Sequence, residues 1–174
     1  MEVLESKRIY MRNFIASDVD AIFLYRSLEE VAQYQYWYPY TIEQILEFVN
    51  QNKDSDLNIL NKWNGFAIIN KENNTLIGDC ALKIIGDSAE IGCNISPVYQ
   101  NRGFAKESLQ LLITTCFKMN GIGMVYGITD SKNTPSIQLM TALGMIKSLD
   151  FEEKIICKDI PSTEYKYYIR KEKA

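Results

Sequence analysis

The stretch Ile91–Phe117, IGCNISPVYQNRGFAKESLQLLITTCF, constrains the fold of this chain more than any other. It reads as an alternating strand that stops at Ser96-Pro97, then a short polar loop, Gln100-Asn101-Arg102-Gly103-Phe104-Ala105, then a long amphipathic helix. Proline cannot donate to a sheet ladder, so the strand has to end there. A strand that feeds a helix through a loop with glycine at its entrance leaves several backbone N–H groups pointing outward. The positive end of the helix dipole stands behind them, and such an end holds phosphate. Gly103 lets an anion come close, because a side chain there would keep it from the amides. Arg102 and Lys106 bracket the loop with positive charge.

The rest of the chain arranges itself around that centre. Lys7–Phe14 predicts a strand, Ser17 an N-cap with Asp18 and Asp20 in the first turn, then a helix to about Leu28. A short helical piece is expected over Glu29–Tyr36. Thr41 with Gln44 is a capping-box pattern, and Ile45, Leu46, Phe48 and Val49 carry the apolar face of a helix to about Asn52. Residues 53–64 show no clear period. Phe66–Asn70, Thr75–Ile84 and Ala89–Ser96, with turns at Asn73-Asn74 and Gly86-Asp87, predict an antiparallel meander. The central helix, about Gly103–Asn120, aligns Ala105, Leu109, Leu112, Ile113 and Cys116, with Gly121 as its C-cap glycine. Met124–Thr129 follows this crossover helix and so predicts a strand parallel to the one before it. Asn133 opens a helix that ends at Gly144, and Met145–Cys157 with Tyr165–Arg170 predict a closing strand pair. The expected fold class is α/β (α+β), a mixed, mostly antiparallel central sheet flanked by helices, in one domain over residues 1–174.

Composition narrows the function classes. The chain has 174 residues, 47% hydrophobic and 24% charged, an ordinary globular balance with enough apolar matter for a core. A net charge of −3 and no basic stripe argue against nucleic acid as partner. No charged-then-apolar leader and no apolar run near ~18 residues is seen, so neither secretion nor membrane insertion is expected. Cys80, Cys93, Cys116 and Cys157 form no Cys-x-x-Cys pair, and they read as reduced structural thiols of a cytoplasmic protein. No metal is expected. The run Tyr34-Gln35-Tyr36-Trp37-Tyr38-Pro39-Tyr40 is densely aromatic. Its rings either pack a loop onto the core or wall a substrate pocket, with Tyr36, Trp37 and Tyr38 the candidates for the second role.

The succession strand, Gln-x-x-Gly-x-Ala, helix, strand, Asn-x-x-Ser, helix, Leu-Gly-Met resembles the GCN5-related N-acetyltransferase (GNAT) superfamily. It is most similar to the RimJ/RimL-like ribosomal-protein N-acetyltransferase branch. Arg8 to Arg12, Trp37-Tyr38-Pro39, Ile77-Gly78, Ala89-Glu90-Ile91-Gly92, the loop 100–105 and Asp130 to Gly144 recur in the branch's order, over nearly the whole chain. The resemblance implies acetyl-coenzyme A as donor and a primary amine as acceptor. It also implies two central strands splayed so that the pantetheine arm lies between them like an added strand. Gln100, Asn101, Arg102, Gly103, Ala105 and Lys106 would then hold the pyrophosphate. Main-chain groups of Cys93 and Ile95 would hold the arm, one N–H facing the thioester oxygen. Asn133 matches the asparagine that bonds the arm or an ordered water, and it also fits a plain N-cap.

The acid–base roles are less marked. The chain has no histidine. Met140 stands where relatives often carry a tyrosine that protonates the leaving thiolate. Ser136 is the nearest candidate for that task, Ile128 stands where some relatives carry a glutamate, and Glu90 either relays a proton through water or accepts a structural hydrogen bond. Neutralising a lysine amine of pKa ~10.4 at pH 7 costs roughly 4.6 kcal/mol, against about 1.4 for an α-amine near 8. A site poor in bases therefore suits a protein N-terminus better, with small amines such as a polyamine, amino acid or aminoglycoside still open. A homodimer is common among relatives. A coenzyme-binding sensor without turnover is the alternative, favoured by Met140.

Overall fold

Nearly every strand of this chain finds its sequence neighbour, as short turns dictate, and a long crossover supplies a parallel pair. The computed structural model describes residues 3–172. In order they form β1 (Leu4–Glu5), β2 (Ile9–Arg12), α1 (Val19–Arg26), α2 (Glu29–Ala32), α3 (Ile42–Asn52), β3 (Asn64–Asn70), β4 (Thr75–Ile85) and β5 (Ser88–Ile95). Then come α4 (Phe104–Lys118), β6 (Met124–Asp130), α5 (Thr134–Ala142), β7 (Ile146–Cys157) and β8 (Ile160–Arg170). The eight-stranded sheet has the order β1-β2-β3-β4-β5-β6-β8-β7. Among these named strands β5 and β6 alone run parallel, with α4 as their crossover. The mixed, mostly antiparallel sheet flanked by helices is the expected one.

Helices cover both faces. On one, Ile22 and Tyr25 of α1 and Ile45 and Val49 of α3 pack with Ala67 and Ile69. On the other, Leu109, Leu112, Ile113 and Cys116 of α4 pack with Phe66, Ile68, Cys80 and Leu82. The first face also buries a charge pair. Arg26 Nε and Nη2 donate to the two oxygens of Asp79 at 2.9 and 2.7 Å, and Tyr25 Oη donates to the same carboxylate at 2.5 Å. Asn94 of β5 adds a bond at 3.1 Å. Trp37, Tyr40 and Phe48 surround the guanidinium at 4.7, 5.3 and 4.2 Å. Two rings of the aromatic run, Trp37 and Tyr40, are thus tied to this cation.

Several boundaries differ from the sequence expectation, each for a physical reason. The first strand shortens to Ile9–Arg12, and a two-residue β1 precedes it. Asp18, not Ser17, precedes α1, and its carboxylate accepts from Arg12 at 2.7 and 2.8 Å as well as from the Ile15 N–H at 2.8 Å. The piece after α1 stops at Ala32. Thr41 and Gln44 do form the reciprocal capping box. Helix α4 ends at Lys118 because Met119 turns extended, so Gly121, at φ 88°, belongs to the turn beyond rather than to the cap. Strand β8 starts at Ile160, earlier than expected, straight after a turn in which Lys158 and Asp159 both have positive φ.

Breaking the buried pair leaves an uncompensated guanidinium. Asp79→Ala is expected to cost about 3–5 kcal/mol, read as a lower urea midpoint with unchanged slope. A loss under about 1 kcal/mol would show that the pair contributes little.

Candidate active site

The two central strands touch only at their start. β5 pairs with β6 at Ser88 with Met124, Ala89 with Val125 and Glu90 with Tyr126, and no further, although β5 runs to Ile95 and β6 to Asp130. Each stays paired on its outer side, β5 with β4 as far as Ile95 and β6 with β8 as far as Asp130. The inner edges therefore part and face a gap. Ser96 N–H donates to Ile77 C=O at 2.9 Å. The alternation of an antiparallel ladder then turns the main chain of Asn94 toward β4 and that of Cys93 and Ile95 toward the gap. Ile95 C=O accepts from the Gln100 side chain at 2.9 Å, which leaves its N–H open to the gap. At the vertex, a Cβ built on Gly127 would lie 2.8 Å from Met140 Sδ and 3.5 Å from Ile91 O, so the thioether packs where the strands divide.

The loop into α4 sits at the open end of the gap. Asn101 and Gly103 adopt positive φ, 58° and 80°, where the chain turns into α4. Among the described residues, the N–H groups of Arg102, Gly103, Phe104, Ala105 and Lys106 have no hydrogen-bond acceptor. That is the arrangement a diphosphate fits, and no side-chain cap competes for it. Arg8 fixes the loop from behind. Its Nη1 donates to Arg102 C=O at 2.9 Å, its Nε and backbone N–H to Glu107 at 2.6 and 2.8 Å, and its guanidinium lies 4.5 Å over Phe104. Burial alone would raise Glu107, but the bonds from Ser6 and Arg8 outweigh it and hold this carboxyl below the usual range. Arg102 and Lys106 are exposed, and among the described residues neither has a carboxylate partner.

On the face that α1 and α3 occupy, the rows of β5, β6 and β8 beyond those helices carry polar groups. Glu90 is half-buried, which raises its pKa, and accepts a long bond of 3.4 Å from Tyr126 Oη. Burial and that carboxylate push the Tyr126 phenol up to about 12. Glu164 of β8, 9% exposed, takes the Tyr36 hydroxyl, and burial with this bond raises the Tyr36 phenol well above its ordinary value. Lys166 Nζ stands 3.9 Å over the Tyr126 ring.

The sequence candidates thus divide. Gln100, Asn101, Arg102, Gly103, Ala105 and Lys106 converge at the loop, and Cys93 and Ile95 line the gap. Burial pushes the Cys93 thiol up to about 12, so it stays protonated and only its main chain is on offer. Asn133, just beyond β6, accepts from Ser136 N–H at 3.2 Å and caps α5. Among the described residues the Ser136 hydroxyl has no protein partner, which leaves it available to a ligand. Tyr36 reaches Glu164, whereas Trp37 lies against Arg26 and Tyr38 is exposed with Lys158 5.6 Å from its ring. Sequence reasoning missed Glu164, Tyr126 and the Arg8–Glu107 clamp. No local pattern pairs residues 99 positions apart.

Comparison with known proteins agrees with this fold. The family model described as an acetyltransferase (GNAT) domain matches residues 8–146. An uncharacterized N-acetyltransferase of Bacillus licheniformis, p20, is 31% identical over 151 residues, 84% of each chain. The crystal structure of a GNAT-family acetyltransferase from Bacillus anthracis aligns at a TM-score of 0.86 and 27% identity, over 97% of this chain and 98% of that one. Spermidine N-acetyltransferase from Vibrio cholerae, crystallised with CoA and spermine, shares the fold at a TM-score of 0.77 and 19% identity, over 95% and 96% of the two chains. The family match spans the clamp, the amide-rich loop and the parted strands alike, and this chain belongs to the GNAT acetyltransferase family.

Proposed function

We propose that this protein transfers the acetyl group of acetyl-coenzyme A to a primary amine, as a RimJ/RimL-like N-acetyltransferase. One observation carries the reading: five successive main-chain N–H groups, without acceptors among the described residues, lie beside a gap between two strands that pair with each other only at their start. The diphosphate meets those amides with Arg102 and Lys106 at its flanks. The pantetheine arm bonds the main chain of Cys93 and Ile95, and an N–H of β5 faces the thioester oxygen as negative charge develops there.

The neutral amine attacks the carbonyl carbon, the carbon–sulfur bond breaks, and the departing sulfur takes one proton while the new amide sheds one. Glu90 passes the amine's proton to water, its raised pKa bringing it nearer to that of a useful base. The Ser136 hydroxyl bonds the leaving sulfur and Asn133 orients the arm, while Met140, a thioether, has no proton to give. Tyr36 borders the acceptor side through Glu164. The acceptor is a protein N-terminal α-amine or a small amine, and a site with no histidine favours one that is easily neutral. The second reading, a coenzyme sensor without turnover, rests on Met140 alone.

Gly103→Glu adds a carboxylate beside the loop amides, its Cβ 3.4 Å from Arg8 Nη2, whereas Gly103→Asn meets the same positive φ without the charge. The first is expected to weaken coenzyme A binding roughly a hundredfold, about 2.8 kcal/mol, and the second far less. Equal affinities by calorimetry would remove the site from this loop. Ser136→Ala is expected to lower kcat roughly tenfold with acetyl-coenzyme A affinity preserved. An unchanged kcat would return Ser136 to a purely structural place in the first turn of α5. Release of free thiol with any amine in a panel excludes the sensor.

A further inference from the structure

The last rung that joins β5 to β6 sets Glu90 opposite Tyr126, and beyond it the strands part. Alternation along β5 puts Glu90, Gly92 and Asn94 on one face. It is the face of α1, since Asn94 donates to the same Asp79 that holds Arg26. The Tyr126 ring lies on that face too, because its Oη reaches Glu90. Toward the gap the next residue on this face is Gly92, over which a Cβ would meet nothing within 4 Å. A strand glycine under open space lets a ligand lie close to the backbone. The Glu90 carboxylate therefore stands at the vertex of the gap, beside room for a reacting group.

The two oxygens of Glu90 differ. Oε2 accepts from Tyr126 Oη at 3.4 Å. Oε1 has no protein donor among the described residues and is not sealed from solvent. No lysine or arginine among the described residues lies within 4.0 Å of either oxygen. The phenol itself is held in place: Tyr126 is buried, and Lys166 Nζ stands 3.9 Å over its ring. The bond to Glu90 is long, and bonds to a catalytic base tighten once substrate is in place. The titratable and charged groups that face Glu90 are Lys83, its partner on β4, Tyr126 on β6, and Lys166 and Glu164 on β8. Burial raises the carboxyl's pKa most. The Tyr126 bond opposes that rise ahead of Lys83 and Lys166, and Glu164 adds to it.

We propose that Tyr126 is a positioning residue for acetyl transfer: its hydroxyl holds Glu90 through Oε2 at the vertex and leaves Oε1 free to take the acceptor amine's proton on its way to water. This inference rests on the acetyltransfer reading above, in which Glu90 handles that proton, and deepens it. A hydrogen bond donated to a carboxylate favours its charged form, so removing the hydroxyl lets Glu90 take up a proton at higher pH. The base acts deprotonated, and kcat/KM falls as pH drops through its pKa. Loss of the phenol therefore moves that fall to higher pH.

Tyr126→Phe keeps the ring and its contact with Lys166 and removes only the hydroxyl. The side-chain carboxyl carbon of Glu90, identified as the NMR signal lost in Glu90→Gln, is titrated in the full-length protein. Its midpoint is expected to rise by roughly half a unit or more in Tyr126→Phe. In assays with acetyl-coenzyme A and spermidine or the tripeptide Ala-Ala-Ala, the acid limb of kcat/KM is expected to move up with it. Coenzyme A affinity by calorimetry stays as it was. On a Glu90→Gln background, Tyr126→Phe is expected to change the rate no further. An unmoved Glu90 midpoint, an unmoved acid limb, or two substitutions whose losses simply add overturns the inference. Failure of the transfer reading looks different, since coenzyme A is then not bound or no amine is acetylated, and the carboxyl titration still decides whether Tyr126 holds Glu90.

Discussion

Everything in the site depends on where β5 stops pairing with β6. Three residue pairs join the strands, and beyond Glu90 and Tyr126 each turns its inner edge to open space while its outer edge stays bonded. Unmet main-chain groups are costly in a folded protein, so such an edge persists only where packing elsewhere enforces it and a ligand or water meets it. The enforcement is visible. Met140 fills the vertex against Gly127, and the meander and the β7–β8 hairpin hold the two strands in separate ladders. The parting also sets where the crossover helix begins, because α4 starts from the end of β5, beside the gap.

The sheet then separates two tasks onto two faces. The face under α4 and α5 carries the loop amides, the cap of α5 and the Ser136 hydroxyl. The face under α1 and α3 carries the carboxylates and the tyrosines. Asp79 connects the second face to the gap, since it holds Arg26 of α1 on one side and Asn94 of β5 on the other. A buried ion pair adds little to stability against a well-packed apolar alternative. Its effect here is positional: it fixes α1 and the aromatic run relative to the strand that would carry the thioester.

Much of this was legible because the signals are local. A glycine at a helix entrance, a proline at a strand end, the Thr41–Gln44 box and the apolar stripe of α4 each act over a few residues, and each stands as expected. The parallel run of β6 followed from the length of its crossover. What sequence did not show is set by contacts between distant segments. Asp18 looks like a helix-dipole residue until folding brings Arg12 beside it. Glu164 lies in a polar stretch with Pro161 near its start, and only pairing with β6 and β7 makes that stretch a strand. Arg26 carried no sign that three rings and a carboxylate would enclose it.

The central claim is that exposed main-chain groups, more than any side chain, hold the donor. Amide hydrogen exchange with and without coenzyme A tests it most directly. Added coenzyme A should slow exchange at Cys93 and Ile95 in β5 and across residues 102–106 at the start of α4, while the outer strands β2 and β7 stay as they were. Protection elsewhere, or none at those amides despite saturating ligand, would contradict the account.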